Sequence, residues 1–426
     1  MLSQTTIKQL CGIVGRDGVL DAPEDLVAYS IDGTFAEHRP DVVVLPKTTE
    51  QVSQVVALAN HERIPVVPRG MASGLAAASV PFSGGMALSL TRMNRILEID
   101  EENRTVLAEA GVITAELQAE VEKRGLFYPP DPSSNRHSTI GGNIACNAGG
   151  PRCLKYGVTG DYVMGLTVVL PDGQVLRTGG KAIKNVVGYD LTSLLVGSEG
   201  TLGVITEALL KLIAKPQFVR TALTEFPSLD DASCTVNAIL SAGIVPASLE
   251  LMDETAIACI EEAMHLNLPL DVEAMLIIEA DGSDEEAVVR EIETIAHICR
   301  AHGARQVRVA QDEKERDRLW KARRSVSPSL ARKAPNKLGE DITVPRSAIP
   351  EAIRRIKAIS AKYGQPIVVF GHAGDGNLHP NILFDKRDPE QWAKIEPMVG
   401  EIFGVALDLG GTLSGEHGVG VLKRPY

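Results

Sequence analysis

Two histidines seven residues apart, His372 and His379, stand in VVFGHAGDGNLHPNILF, where apolar runs bracket the polar turn GHAGDGN. Such runs read as strands and the glycine-rich piece between them as a tight turn, so His372 enters the turn and His379 leaves it on the returning strand. A hairpin can then aim both imidazoles at one point. Neutral imidazoles converging with a carboxylate are the usual makings of a Zn²⁺, Mn²⁺ or Fe²⁺ site, and Glu416 in SGEHGVG is the available third ligand. Asp375 belongs to the Asp-Gly turn instead. His417, next to Glu416, is the candidate base, because an imidazole can take a hydroxyl proton near neutral pH.

A second kind of site is written in glycine. Residues 129–157, PPDPSSNRHSTIGGNIACNAGGPRCLKYG, hold Gly141, Gly142, Gly149, Gly150 and Gly157 among small and amide residues, with almost no charge. Apolar residues repeat at neither 3.6 nor 2, so periodicity predicts no helix or strand there. Glycines let the backbone approach a ligand closely, and Ser138, Thr139, Asn143 and Asn147 add short hydrogen-bonding side chains. Such a lining suits a large, flat, polar-edged cofactor. Upstream, DVVVLP and IPVVP read as strands around a helix that opens with a Thr48/Gln51 capping box, a β-α-β unit. It runs into Arg69, Gly70, Met71, Ala72, Ser73 and Gly74, where backbone N–H groups and an arginine could cradle a pyrophosphate.

These stretches carry a resemblance. The words PPDP, STIGGNIACNAGGP, KYGVTGDYV and KNVVGYDLTSLLVGSEGTLGVIT resemble FAD-linked oxidases of the vanillyl-alcohol oxidase type. The branch is that of the GlcD-type glycolate oxidases, bacterial D-lactate dehydrogenases and D-2-hydroxyglutarate dehydrogenase. The resemblance runs from about residue 41 to the end and implies an α+β fold. A two-part FAD-binding domain of the vanillyl-alcohol oxidase (PCMH) type is followed by an α/β cap domain with an antiparallel sheet. The expected divisions are a lead-in over 1–36, the FAD-binding domain over 37–216 and the cap, bearing substrate and metal, over 217–426. It further implies that Pro130, Asp131, Ala145, Glu199, Gly200, Gly203, Val204 and Ile205 join the flavin-binding set, and that His372, His379 and Glu416 hold a divalent metal. Arg323 aligns with the arginine that forks onto the substrate carboxylate and Ser327 with a further substrate contact, and Lys337 is expected to help them. No histidine lies in residues 69–79, so FAD is expected without a covalent link.

The implied reaction is oxidation of a small 2-hydroxy acid, glycolate or D-lactate, to the 2-oxo acid. Electrons would leave for a quinone or a partner, a sister flavin subunit and an iron–sulfur subunit being the expected ones; a homodimer is also allowed. Rival readings are a flavin-binding, catalytically impaired subunit of a larger oxidase, carbon–nitrogen or aromatic-alcohol oxidation on the same fold, and a metal hydrolase. The last leaves the glycine-rich half unexplained. Two departures from the family pattern favour the impaired subunit: alanines at 72, 77 and 78 where the family is richer in glycine, and a chain that stops at Tyr426 where relatives continue past LKRP into a further segment.

Composition closes off other classes. With 55 acidic against 43 basic residues the formal charge is −12, which opposes binding to nucleic acid or an anionic membrane. No apolar run is long enough to span a bilayer and the first residues do not resemble a secretory signal, so the expected location is cytoplasmic, or peripheral to the inner membrane through partners. The six cysteines show no CxxC spacing. Past Lys215-Pro216, apolar strands such as PASLELM and AMLIIEA alternate with helices, the texture of a sheet covered on one face by helices. A helix beginning near Asp312 carries Arg323.

Overall fold

The valines of Val42–Val44 are fully buried, and this strand pairs in parallel with Met86–Ser89, which pairs in parallel with Val66–Arg69 on its other side. The two strands of the β-α-β unit therefore flank a third strand contributed later in the chain. The connecting helix Thr49–Glu62 turns Val52, Val55, Val56 and Ala59 inward and starts where the Thr48 side chain accepts from the Gln51 N–H at 3.2 Å. Half of the expected capping box is different: the Gln51 side chain reaches past Thr48 and accepts from the Lys47 N–H at 2.7 Å.

The computed structural model describes residues 2–426, which divide into two units. The first comprises residues 2–150, Gly157–Lys215 and Glu416–Pro425. Besides the sheet above, to which Val19–Leu20 adds an edge, it holds a five-stranded antiparallel sheet in the order Ile96–Asp100, Thr105–Glu109, Val204–Lys211, Val163–Val169, Val175–Gly179. The last two form a hairpin around Pro171-Asp172-Gly173.

The second unit comprises Pro151–Tyr156, Pro216–Gly415 and Tyr426. Its core is an eight-stranded antiparallel sheet. Strands Ser248–Asp253 and Ala274–Gly282 are buried along almost their whole length. Met252, Met275, Ile277 and Phe370 pack with the helices Glu254–Met264 and Glu313–Lys333, while residues of the opposite parity, Leu249, Leu251, Leu276 and Ile278, are buried as well. The sheet is thus covered on both faces, not one. A run such as AMLIIEA, apolar at both parities, is what double burial requires.

The Pro151–Tyr156 strap comes out of the glycine-rich stretch yet belongs to this unit. Lys155 Nζ donates to the Asp281 carbonyl at 2.6 Å and to Asp281 Oδ1 at 2.5 Å, and the Tyr156 hydroxyl donates to Asp281 Oδ2 at 2.7 Å. Leu154 lies against Gly374 so closely that a Cβ there would come within 2.4 Å of it.

Candidate active site

In the second unit, strand register does the positioning. Ile367–His372 and Asn377–Phe384 form the expected hairpin, with Phe370 opposite His379 and His372 opposite Asn377, so both histidines point to one face of the sheet. On the other side of His372, Glu250 stands directly opposite it in Ser248–Asp253. The helix Glu313–Lys333, capped by the Asp312 side chain, packs Leu319, Ala322, Val326 and Leu330 onto the same face, which brings Arg323 down to the carboxylate.

The contacts are short and buried. Glu250 Oε2 accepts from Nε of Arg323 at 2.7 Å and pairs with Nη2 at 2.7 Å, and Oε1 accepts from His372 Nδ1 at 2.6 Å. Glu250 is 0% exposed and Arg323 11%. Burial alone pushes the Glu250 carboxyl up, but His372 and Arg323 outweigh it and hold the group below the usual range. The Arg323 guanidinium also lies 4.8 Å from the centre of the Phe370 ring. The His372 and His379 Nε2 atoms are 3.4 Å apart with the rings edge to face. Two nitrogens bound tetrahedrally at about 2.0–2.1 Å from one ion would stand about 3.4 Å apart, so this donor pair fits a divalent metal.

Around His379, Asp341 Oδ1 is 4.0 Å from Nδ1. The Asp341 carboxylate accepts from Asn377 Nδ2 at 2.6 Å and from the Ser414 hydroxyl and the Gly415 N–H at 2.9 Å each. Glu416 follows directly in sequence. Within the first unit, His417 Nε2 is 3.9 Å from Glu416 Oε1. Lys337 Nζ donates to the Ser327 hydroxyl, and burial lowers the Lys337 pKa. Ser327 is one turn beyond Arg323 on the same helix face.

The glycine-rich stretch of the first unit does hold a helix, Ile140–Cys146, contrary to the expectation from periodicity. The Thr139 side chain caps it, accepting from the Gly142 N–H at 3.2 Å, and Gly141 backs onto Ala110, where a Cβ would come within 2.6 Å. A cap and a close backbone approach stabilise the helix here, and neither leaves a periodic trace. Gly70 abuts Thr139, so the Arg69–Gly74 turn and this helix start are neighbours. Gly200 rests on Pro68 and the Glu199 N–H donates to the Ala145 carbonyl at 2.8 Å, adding two more of the expected residues. Among the described residues the N–H groups of Met71, Ala72, Ser73 and Gly74 make no backbone hydrogen bond, a set of donors that fits a pyrophosphate.

Several side chains in that set face away from such a ligand. Arg69 is buried and its Nη1 donates to the Tyr29 carbonyl at 2.8 Å. Ser138 bonds Thr114 at 3.1 Å, and Asn147, in the left-handed region at φ 50°, accepts from the Gly160 N–H at 2.8 Å. Gly157 turns at φ 80° beside Asp161, and the Pro130 carbonyl accepts from Gln118. The Asp131 backbone lies against Gly150, and Gly203 against Val169. Val204 and Ile205 are buried at the start of their strand. The Glu199 carboxylate accepts from the Gly420 N–H at 3.0 Å, and the Val421 N–H donates to the Ala76 carbonyl at 3.0 Å, which ties residues 416–425 to the first unit. Sequence reasoning missed Glu250 and Asp341. The signal for Glu250 was a lone carboxylate inside the apolar strand PASLELM, a residue that must find a partner when buried.

Known protein families match most of this chain. Residues 40–179 match the FAD binding domain, and residues 215–426 match the FAD linked oxidases, C-terminal domain. The chain is 46% identical to glycolate oxidase subunit GlcD of Bacillus subtilis (strain 168), over 100% of this chain and 91% of that protein. It is 36% identical to D-lactate dehydrogenase of Anaerostipes hadrus, over 92% and 84%. In fold it is similar to p-cresol methylhydroxylase with substrate bound, at a TM-score of 0.80 and 18% identity over 97% of this chain and 90% of that one. The chain belongs to the FAD-linked oxidases, a family of FAD-dependent oxidoreductases, in the group of glycolate oxidase subunit GlcD and D-lactate dehydrogenase.

Proposed function

We propose that the protein oxidises a small 2-hydroxy acid, glycolate or D-lactate, to the 2-oxo acid. The observation that carries this reading is the pair of buried imidazole nitrogens 3.4 Å apart on a sheet face against which a helix sets a half-buried arginine. His372, His379 and Glu416 would hold one divalent cation, Zn²⁺, Mn²⁺ or Fe²⁺, whose chemistry is to polarise the substrate hydroxyl. Arg323 anchors the substrate carboxylate, with Ser327 and Lys337 beside it. His417 takes the hydroxyl proton as the α-hydrogen leaves with its electron pair. FAD would be held by the Arg69–Gly74 turn, the start of Ile140–Cys146 and Glu199-Gly200, and the chemistry it would supply there is hydride acceptance. A quinone or a partner subunit would take the two electrons, and the Bacillus relative is itself named as a subunit of glycolate oxidase.

A second reading, a flavin-binding but catalytically impaired subunit, is favoured by one observation. Ala72 and Ala77 sit at φ 54° and 59° in the loop beside the pyrophosphate donors, a conformation that suits glycine. Elemental analysis beside dye reduction driven by glycolate and by D-lactate, before and after chelation, decides between them. The expected result is a metal-bearing flavoprotein whose dye reduction stops on chelation and returns with metal. Full activity without metal would refute the metal role, and flavin with metal but no turnover on either acid would favour the impaired subunit.

A further inference from the structure

Glu250 is neither a ligand nor a base in the reaction proposed above, yet it is fully buried and both of its oxygens are engaged. A carboxylate in an apolar strand costs several kcal/mol in lost hydration unless its partners are well placed. Here they are groups with work of their own: the fork of Arg323 on Oε2 and Nδ1 of His372 on Oε1. Accepting from Nδ1 leaves Nε2 of His372 as the nitrogen with a lone pair, and Nε2 is the atom that faces His379. Engaging Nε and Nη2 of Arg323 holds the guanidinium plane, which also stacks on Phe370.

We infer that Glu250 is a positioning residue that sets two groups at once, fixing His372 as the Nδ1–H tautomer with Nε2 toward the metal and holding Arg323 in the orientation that receives the substrate carboxylate. The inference rests on the proposed 2-hydroxy-acid reaction and assigns it a residue that touches neither metal nor substrate. Strand register makes the arrangement rigid, because Glu250 and His372 are directly opposed while Arg323 is fixed by its helix.

Two substitutions separate the roles. Glu250→Gln keeps an oxygen for His372 but turns an amide NH₂ toward Arg323, two donors face to face. It should raise KM for glycolate or D-lactate by about 10-fold or more, with a smaller change in Zn²⁺ affinity. Glu250→Leu removes the acceptor for both partners and should also weaken Zn²⁺ binding by about 10- to 100-fold, measured by calorimetric titration of Zn²⁺ into chelated protein. If the leucine variant does not fold, ¹⁵N-histidine NMR of the metal-free wild type still tests the idea. His372 protonated at Nδ1 is expected, and His372 protonated at Nε2 would overturn it. Zn²⁺ held as tightly by Glu250→Leu as by wild type, or an unchanged KM in Glu250→Gln, would overturn this inference alone. A wild-type protein that binds no Zn²⁺ would overturn it together with the reading on which it rests.

Discussion

In the first unit the groups open to a ligand are backbone N–H groups, and the polar side chains around them are turned into the protein: Arg69 to the Tyr29 carbonyl, Ser138 to Thr114, Glu199 to Gly420. In the second unit the order is reversed. The backbone is consumed by the sheet, and the polar groups brought together are the side chains of Glu250, Arg323, His372 and His379 at one face. A backbone site depends on what is missing from a residue, a side chain at Gly70 or Gly141, and fails when atoms are added. A side-chain site depends on charge partners contributed by distant strands, and fails when atoms are removed.

The largest expected effects break one half and spare the other. His379→Ala should abolish metal binding and cut 2-hydroxy-acid turnover by about 100-fold or more while the flavin-to-protein ratio stays at the wild-type value. Gly70→Ala should do the opposite. Its Cβ would fall 2.2 Å from Thr139 Oγ1, so the loop must shift at about 1–3 kcal/mol and flavin content should fall with metal content unchanged. Metal and flavin lost together in both variants, by elemental analysis and absorbance, would mean that the two halves do not act separately.

A smaller effect sharpens the account of the buried sheet. Burial pushes the Asp253 carboxyl up to about 7, against the opposing bond from the Ala256 N–H. Between its ordinary value near 4 and 7 the folded state binds the extra proton, so this group's stabilisation is complete at the acid end and is lost as pH rises toward 7. Asp253→Asn keeps a side-chain oxygen for the helix cap and removes the titration. Its unfolding midpoint should gain on the wild type from pH 4 to about 7 and level off above that, and a constant difference from pH 4 to 7 would refute the assignment.

The smallest effect belongs to the loop alanines. Ala72 is half-buried at φ 54°, so Ala72→Gly should gain about 0.5–1 kcal/mol in denaturant unfolding. Ala77, at φ 59° but fully buried, gives up a methyl worth about 0.8 kcal/mol on the same change and should come out near neutral. Equal gains at both positions would mean that burial of the Ala77 methyl counts for little.

What could be read in advance follows the same division. The hairpin of His372 and His379 was legible because its strands, turn and histidines are contiguous. The antiparallel order of the sheet was legible only through the family resemblance, and AMLIIEA, apolar at both parities, carried the sign of burial on both faces where one-sided cover was expected. Ile140–Cys146 was not, since a seven-residue helix with two glycines has no periodicity and is set by Thr139 and Ala110. Glu250 was not, because its partners are 73 and 122 residues away in sequence, and no local pattern connects them.

The Pro151–Tyr156 strap has a consequence for the order in which the chain can fold during synthesis. Its anchor, Asp281, is 126 residues downstream of Lys155, and Gly374, against which Leu154 packs, comes later still. At about 5–20 residues per second a ribosome would take about 6–25 s to reach the anchor after the strap has been made. The second unit therefore cannot finish as an autonomous C-terminal domain. A fragment that begins at Pro216 would lack the lysine and tyrosine that satisfy Asp281 and should fold with that carboxylate left without these two partners.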